Sequence, residues 1–131
     1  MTMPCDPERH AVDGEWENER GSRLSLKVDG FCLRGTYRTA VGTPDKHDEF
    51  VVVGQVVGNV LGFVVAWSGH ESLTSWAGRY DAEYDRIHTL WLLVNAATWP
   101  FDPIRQERVR VETQLWESFR TQQSVFKRVG S

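Results

Sequence analysis

The chain has 131 residues and a mass of 15.0 kDa, with 40% hydrophobic and 25% charged positions and a formal net charge of −3. That length and apolar content build one domain, exclude a disordered tail, and contain no run of about 20 apolar residues that a membrane-spanning helix requires. Eighteen acidic against fifteen basic residues leave no positive surplus for a phosphate backbone, so neither nucleic acid nor membrane is an expected partner.

Residues 1–13 carry Pro4 and Pro7 and no apolar core, so they read as a flexible arm and not as a signal peptide, with the domain proper over 14–131. A chain that natively starts at Met1 is expected in the cytoplasm; a leader removed ahead of it would make the protein secreted. Cys5 and Cys32 read as free thiols, since two isolated cysteines make no disulfide framework.

From Gly14 onward, short segments rich in Val, Thr, Trp, Tyr and Leu alternate with Gly, Asp, Asn and Pro. This pattern predicts strands over 15–19, 22–28, 31–39, 50–57, 60–68, 72–81, 86–94 and 117–129. Asp29-Gly30, Gly58-Asn59 and Gly69-His70-Glu71 are short enough to be hairpin turns. The fold class is therefore all-β, an eight-stranded antiparallel up-and-down barrel, a closure that removes sheet edges and encloses one small ligand. Residues 95–116, between the seventh and eighth strands, are too long for a turn. There Asp102-Pro103 resembles a helix N-cap with proline at the first helical position, whereas Arg108 to Glu112 alternate like a strand.

Period-two alternation places Trp16, Asn18, Leu24, Leu26, Tyr37, Thr39, Leu61, Phe63, Val65, Trp67, Ser72, Thr74, Trp76, Ile87, Thr89, Trp91 and Leu93 on one face. Large rings mixed with small hydroxyls suit a small-molecule pocket; a filled core with hydroxyls bonded to backbone is the other reading of the same pattern. The opposite face is also apolar at Val60, Val64, Ala66, Leu73, Ala77, Leu90, Leu92 and Val94, which predicts a homo-oligomer, dimer or tetramer, joined through the outer faces of strands five to seven.

Five ordered stretches, Gly14-Glu15-Trp16-Glu17-Asn18-Glu19-Arg20-Gly21-Ser22, Gly35-Thr36-Tyr37-Arg38-Thr39-Ala40-Val41-Gly42, Gly62-Phe63-Val64-Val65-Ala66-Trp67, Leu73-Thr74-Ser75-Trp76-Ala77-Gly78-Arg79-Tyr80 and Ile87-His88-Thr89-Leu90-Trp91-Leu92-Leu93, resemble those of the avidin and streptavidin family. The resemblance implies a non-catalytic barrel that holds biotin in its open end. It assigns Asn18, Ser22 and Tyr37 to the ureido oxygen, Thr39 to one ureido nitrogen and Thr74 to the thioether sulfur. Ser72 and the backbone around Thr43 would meet the valerate carboxylate, with Val41 in the same loop region. Trp67, Trp76, Trp91 and Leu93 would form the walls. Trp116 matches the tryptophan that a neighbouring subunit lends as a lid, and Trp99 is the alternative cap from within the long loop. A gapless final strand puts Ser124 where streptavidin has an aspartate that accepts from the second ureido nitrogen, with Gln122 as a partial substitute. Losing that charge-assisted bond costs on the order of 1–3 kcal/mol, so this register taken alone predicts that Ser124→Asp tightens binding.

Other functions fit less well. His10, His47, His70 and His88 show no metal-ligand spacing and no nucleophile motif is present, so no enzyme, metal site or cofactor is expected. An avidin-like barrel that has lost tight biotin binding, serving another ligand or as a scaffold, is the main alternative. A calycin-type carrier of an apolar ligand is the second, with Arg120 as its carboxylate partner.

Overall fold

The computed structural model describes residues 10–40 and 48–130. The alternating segments form strands β1 (Gly14–Asn18), β2 (Arg23–Asp29), β3 (Cys32–Arg38), β4 (Phe50–Val57), β5 (Val60–Trp67), β6 (Ser72–Asp81) and β7 (Arg86–Asn95). After a long excursion the chain returns as β12 (Phe119–Arg128), and the eight strands close into an antiparallel barrel in which β1 pairs with both β2 and β12. The predicted strands are all present, with ends moved by one or two residues. One turn shifts: Asp29 pairs with Cys32, so the tight turn is Gly30-Phe31, with Gly30 in the left-handed region at φ 65°.

The long segment is neither a helix nor an unstructured loop. It rises as a hairpin in which β8 (Ala97–Thr98) pairs with β11 (Val111–Glu112) and β9 (Phe101–Asp102) pairs with β10 (Glu107–Arg108). Asp102 does not start a helix because its side chain serves the hairpin tip: Oδ1 accepts from the N–H groups of Ile104 (2.9 Å) and Arg105 (3.3 Å), and its carbonyl accepts from the Gln106 N–H. The strand-like alternation near Arg108 was the informative pattern. A 3₁₀ turn, Leu115–Glu117, then leads into β12.

The core occupies the end of the barrel away from the long hairpin, around Trp16, Leu24, Leu33, Phe63, Ile87 and Phe126. Residues 10–13, expected to belong to the flexible arm, help plug that end. Val12 is fully buried, its carbonyl accepts the Trp16 indole N–H (2.9 Å), and the Asp13 carboxylate accepts the Val28 N–H (2.8 Å). Arg128 lies over the Trp16 ring at 4.3 Å and donates to Asp85 and to the Asp13 carbonyl, tying β12 to the plug. The Asp85 carboxyl is held below its usual range chiefly by that guanidinium.

Candidate functional site

The open end of the barrel holds a cavity of about 410 Å³. Asn18 ends β1, Ser22 directly precedes β2, and Tyr37 lies on the inward face of β3, so a tight loop and a neighbouring strand bring the three side chains together. Asn18 Oδ1 accepts from the backbone N–H groups of Arg20 and Ser22, both at 3.0 Å, which commits its oxygen and leaves its NH₂ as a donor. Ser22 Oγ accepts from the Ala40 N–H (3.2 Å), and its hydroxyl is also hydrogen-bonded to the Tyr37 phenol. Burial pushes the Tyr37 phenol up from its ordinary pKa, only partly offset by its hydrogen bonds to Ser22 and Asn18, so the hydroxyl stays protonated at neutral pH. The arrangement is a convergence of neutral donors suited to one polarised carbonyl oxygen.

Aromatic rings form the walls above it. Trp76 stacks on Phe63 (4.9 Å between centroids) and leans on Tyr37 (5.2 Å), and it lies opposite Trp91 in the β6–β7 register. Trp67 meets Tyr37 and Phe50 edge to face. Its indole N–H donates to Thr74 Oγ1 (2.8 Å), which fixes the ring and leaves the threonine hydrogen available. Thr39, Ser72 and Leu93 also line the cavity. The filled-core reading thus describes only the closed end; the upper inward positions surround open space.

The mouth is shaped by the hairpin. Asn95, Thr98 and Trp99 line it together with His70 of the β5–β6 turn. Arg110 reaches from the hairpin to that turn, donating from Nη2 to Glu71 Oε1 (2.8 Å) and from Nε to the other carboxylate oxygen, and the Ala96 N–H donates to the Glu71 carbonyl. Trp99, the alternative cap, is therefore part of this chain's own cavity, whereas Trp116 is 81% exposed on the 3₁₀ turn and does not touch it.

Other sequence-predicted positions fall differently. Val41 and Thr43 lie outside the described residues. Ser124 is buried beside the cavity and does not line it; its hydroxyl donates to the Glu19 carboxylate at 3.0 and 3.2 Å. Gln122 is exposed and its Oε1 accepts from Arg20 Nη2 (2.6 Å). Arg120, the carboxylate partner of the carrier reading, is exposed and away from the cavity. Besides His70, Asn95 and Thr98 at the mouth, strand alternation missed Glu19 and Arg20, which line the cavity from the β1–β2 loop. The only mark of these two in the sequence is an acid–base pair between Asn18 and Ser22. Burial raises the Glu19 carboxyl, yet the Val125 and Glu19 backbone N–H groups, the Ser124 hydroxyl and Arg20 together hold it below its usual range. Among the described residues no cluster of three or more His, Cys, Asp or Glu side chains is arranged to hold a metal.

Comparison with known proteins agrees with the barrel fold. The model of the Avidin family matches residues 6–129. Afifavidin of Afifella pfennigii is 35% identical over 78 residues, 55% of this chain and 49% of that protein, so the match spans about half the length of the curated relative. Among solved structures, a rhizavidin–biotin complex superposes with a TM-score of 0.69 at 22% identity, covering 92% of this chain and 93% of the other. A biotin complex of a shwanavidin variant gives 0.65 at 27% identity over 88% and 95%. A bradavidin2–biotin complex gives 0.64 at 24% over 88% and 95%. With the family match spanning nearly the whole barrel and the plug that closes it, this chain belongs to the avidin family.

Proposed function

We propose that the protein binds biotin without transforming it, head-first into the open end of the barrel. The observation that carries this reading is the convergence of Asn18, Ser22 and Tyr37 at the foot of a Trp-walled cavity of about 410 Å³. A flat, neutral ureido ring offers one strongly polarised oxygen for three donors and apolar faces for Trp67, Trp76 and Trp91. Thr39 would take one ureido N–H, Thr74 the sulfur, and Ser72 the carboxylate end. Because the Asn18 and Ser22 oxygens are held by backbone N–H groups, the donors are set before the ligand arrives, which limits the ordering cost of binding.

Titration with biotin, followed by tryptophan fluorescence and calorimetry, tests the reading: saturable one-to-one binding is expected, and no saturation at micromolar ligand overturns it. Tyr37→Phe removes one of the three donors and is expected to weaken binding by about 1 kcal/mol, roughly fivefold, with the fold unchanged.

The same reading includes self-association through the outer faces of β5 to β7. Val64 is 37% exposed, Leu73 38%, Leu90 55% and Leu92 43%, all on the outward face of three paired strands. A single chain leaves this apolar surface in water, whereas a second copy buries it. Light scattering is expected to return two or four times 15.0 kDa, and Leu90→Glu to lower that mass; a wild-type mass of one chain at tens of micromolar overturns this part. Trp116 is 81% exposed and stands clear of this chain's own cavity; as the residue lent to a neighbour's cavity its loss would be felt only in the assembly, so Trp116→Ala should weaken biotin binding in the oligomer without altering the fold.

A further inference from the structure

The donors at the foot of the cavity answer the ligand's oxygen, but a cyclic urea also carries two N–H groups, and each loses its water partner on entry unless the protein supplies an acceptor. Thr39 supplies one. The position expected to supply the other, 124, holds a serine whose hydroxyl is given to Glu19. Gln122, the substitute, has its carbonyl oxygen taken by Arg20.

We propose that the Glu19 carboxylate, carried on the β1–β2 loop and seated on Ser124, is the acceptor for the ligand's second ring N–H. The assignment rests on the biotin reading and deepens it: the negative charge has moved across the barrel seam, from β12 to the loop after β1. A carboxylate offers about four acceptor sites. The one hydrogen of Ser124 Oγ, shared between the two oxygens, and the Val125 N–H (3.0 Å) are received here, and with the Glu19 backbone N–H they leave one site for a ligand. These bonds also hold the carboxylate in place on Glu19, a residue that lines the cavity while Ser124 does not. The small serine is what makes room. An aspartate at 124 would set a second carboxylate against the first, and the two would repel. Glu19 and Ser124 therefore form a matched pair, and the tightening that the strand register alone predicts for Ser124→Asp turns into its opposite.

Calorimetric titrations of the full chain with biotin and with its two ring-N-methyl derivatives test this on four proteins: wild type, Glu19→Gln, Ser124→Asp and the double variant. Glu19→Gln is expected to weaken biotin binding roughly ten- to a hundredfold. Methylating the nitrogen that faces Glu19 should weaken binding to wild type and cost little further in Glu19→Gln, a coupling that a merely structural loop contact does not produce. Ser124→Asp should weaken binding while Glu19 is present and restore at least about tenfold in the Glu19→Gln background. Melting curves establish that each variant is folded. Wild-type affinity in Glu19→Gln, or tighter binding by Ser124→Asp with Glu19 in place, overturns the assignment and leaves the biotin reading standing. A wild type that takes no biotin overturns both.

Discussion

Gly35→Ala is expected to destabilise the barrel by about 3 kcal/mol or more, a large part of the 5–15 kcal/mol by which domains of this size are stable. A methyl group built on Gly35 would stand 1.7 Å from the Ser25 carbonyl oxygen and 2.8 Å from its carbon. Those atoms belong to the β2–β3 ladder, in which Gly35 pairs with Leu26, and they cannot swing aside as a side chain can. Relief requires the strands to part, which breaks hydrogen bonds on both sides of β3. The cause is close backbone approach and not a left-handed conformation. Gly35, Gly54 and Gly78 all face inward where the strands bend to close the barrel, and a Cβ at Gly54 would likewise lie 2.0 Å from the Gly62 carbonyl oxygen. Gly62 itself is the control: it faces outward, its Cβ would meet only the Trp76 carbonyl at an ordinary 3.5 Å, and Gly62→Ala should change stability by less than about 0.5 kcal/mol. Urea unfolding followed by tryptophan fluorescence measures both. A Gly35→Ala midpoint equal to that of Gly62→Ala would show that β2 and β3 are not as close as described.

Trp76→Ala should cost about 3–5 kcal/mol of stability and more than a hundredfold in biotin affinity in whatever fraction stays folded. Trp76 is buried, stacked on Phe63, in contact with Tyr37 and opposite Trp91, so its removal empties a core position and a pocket wall together. Tyr37 also loses the ring that holds its phenol among the donors. Trp76→Phe separates the two effects, since it keeps a ring against Phe63 and should recover most of the stability while recovering less of the affinity. The exposed Trp116 gives the opposite pattern on alanine substitution, with stability within about 0.5 kcal/mol of wild type and an effect confined to binding in the oligomer. Denaturation midpoints and biotin dissociation constants on the same samples distinguish these outcomes.

Much of the barrel was legible because strand alternation is local. Leu61, Phe63 and Val65 are buried, while Val60 and Val64 of the same strand are exposed; a one-residue slip would have reversed all five. The wall tryptophans and the hydroxyls beside them follow from the same parity, and the family resemblance supplied the roles proposed for Asn18, Ser22 and Tyr37. Where a local pattern had two physical uses, the reading of it failed. Asp102-Pro103 suits a helix start, but an aspartate that caps a helix also closes a tight turn, and pairing of β9 with β10 decided for the turn. The stretch before Gly14 is polar and proline-rich, yet the buried Val12, whose carbonyl takes the Trp16 indole N–H, and Asp13, bonded to the Val28 N–H, anchor its end.

By itself the sequence determined the all-β class, the inward and outward faces and the family, since each is written in residues close to one another along the chain. Only the tertiary structure decided that Trp99 enters the cavity while Trp116 leaves it, and that Glu19 meets Ser124 from 105 positions away. That contact exists because β1 closes the barrel against β12, with Asn18 opposite Phe126. Ring closure brings the first and last strands together, and no periodicity along the chain encodes which side chain will then face which.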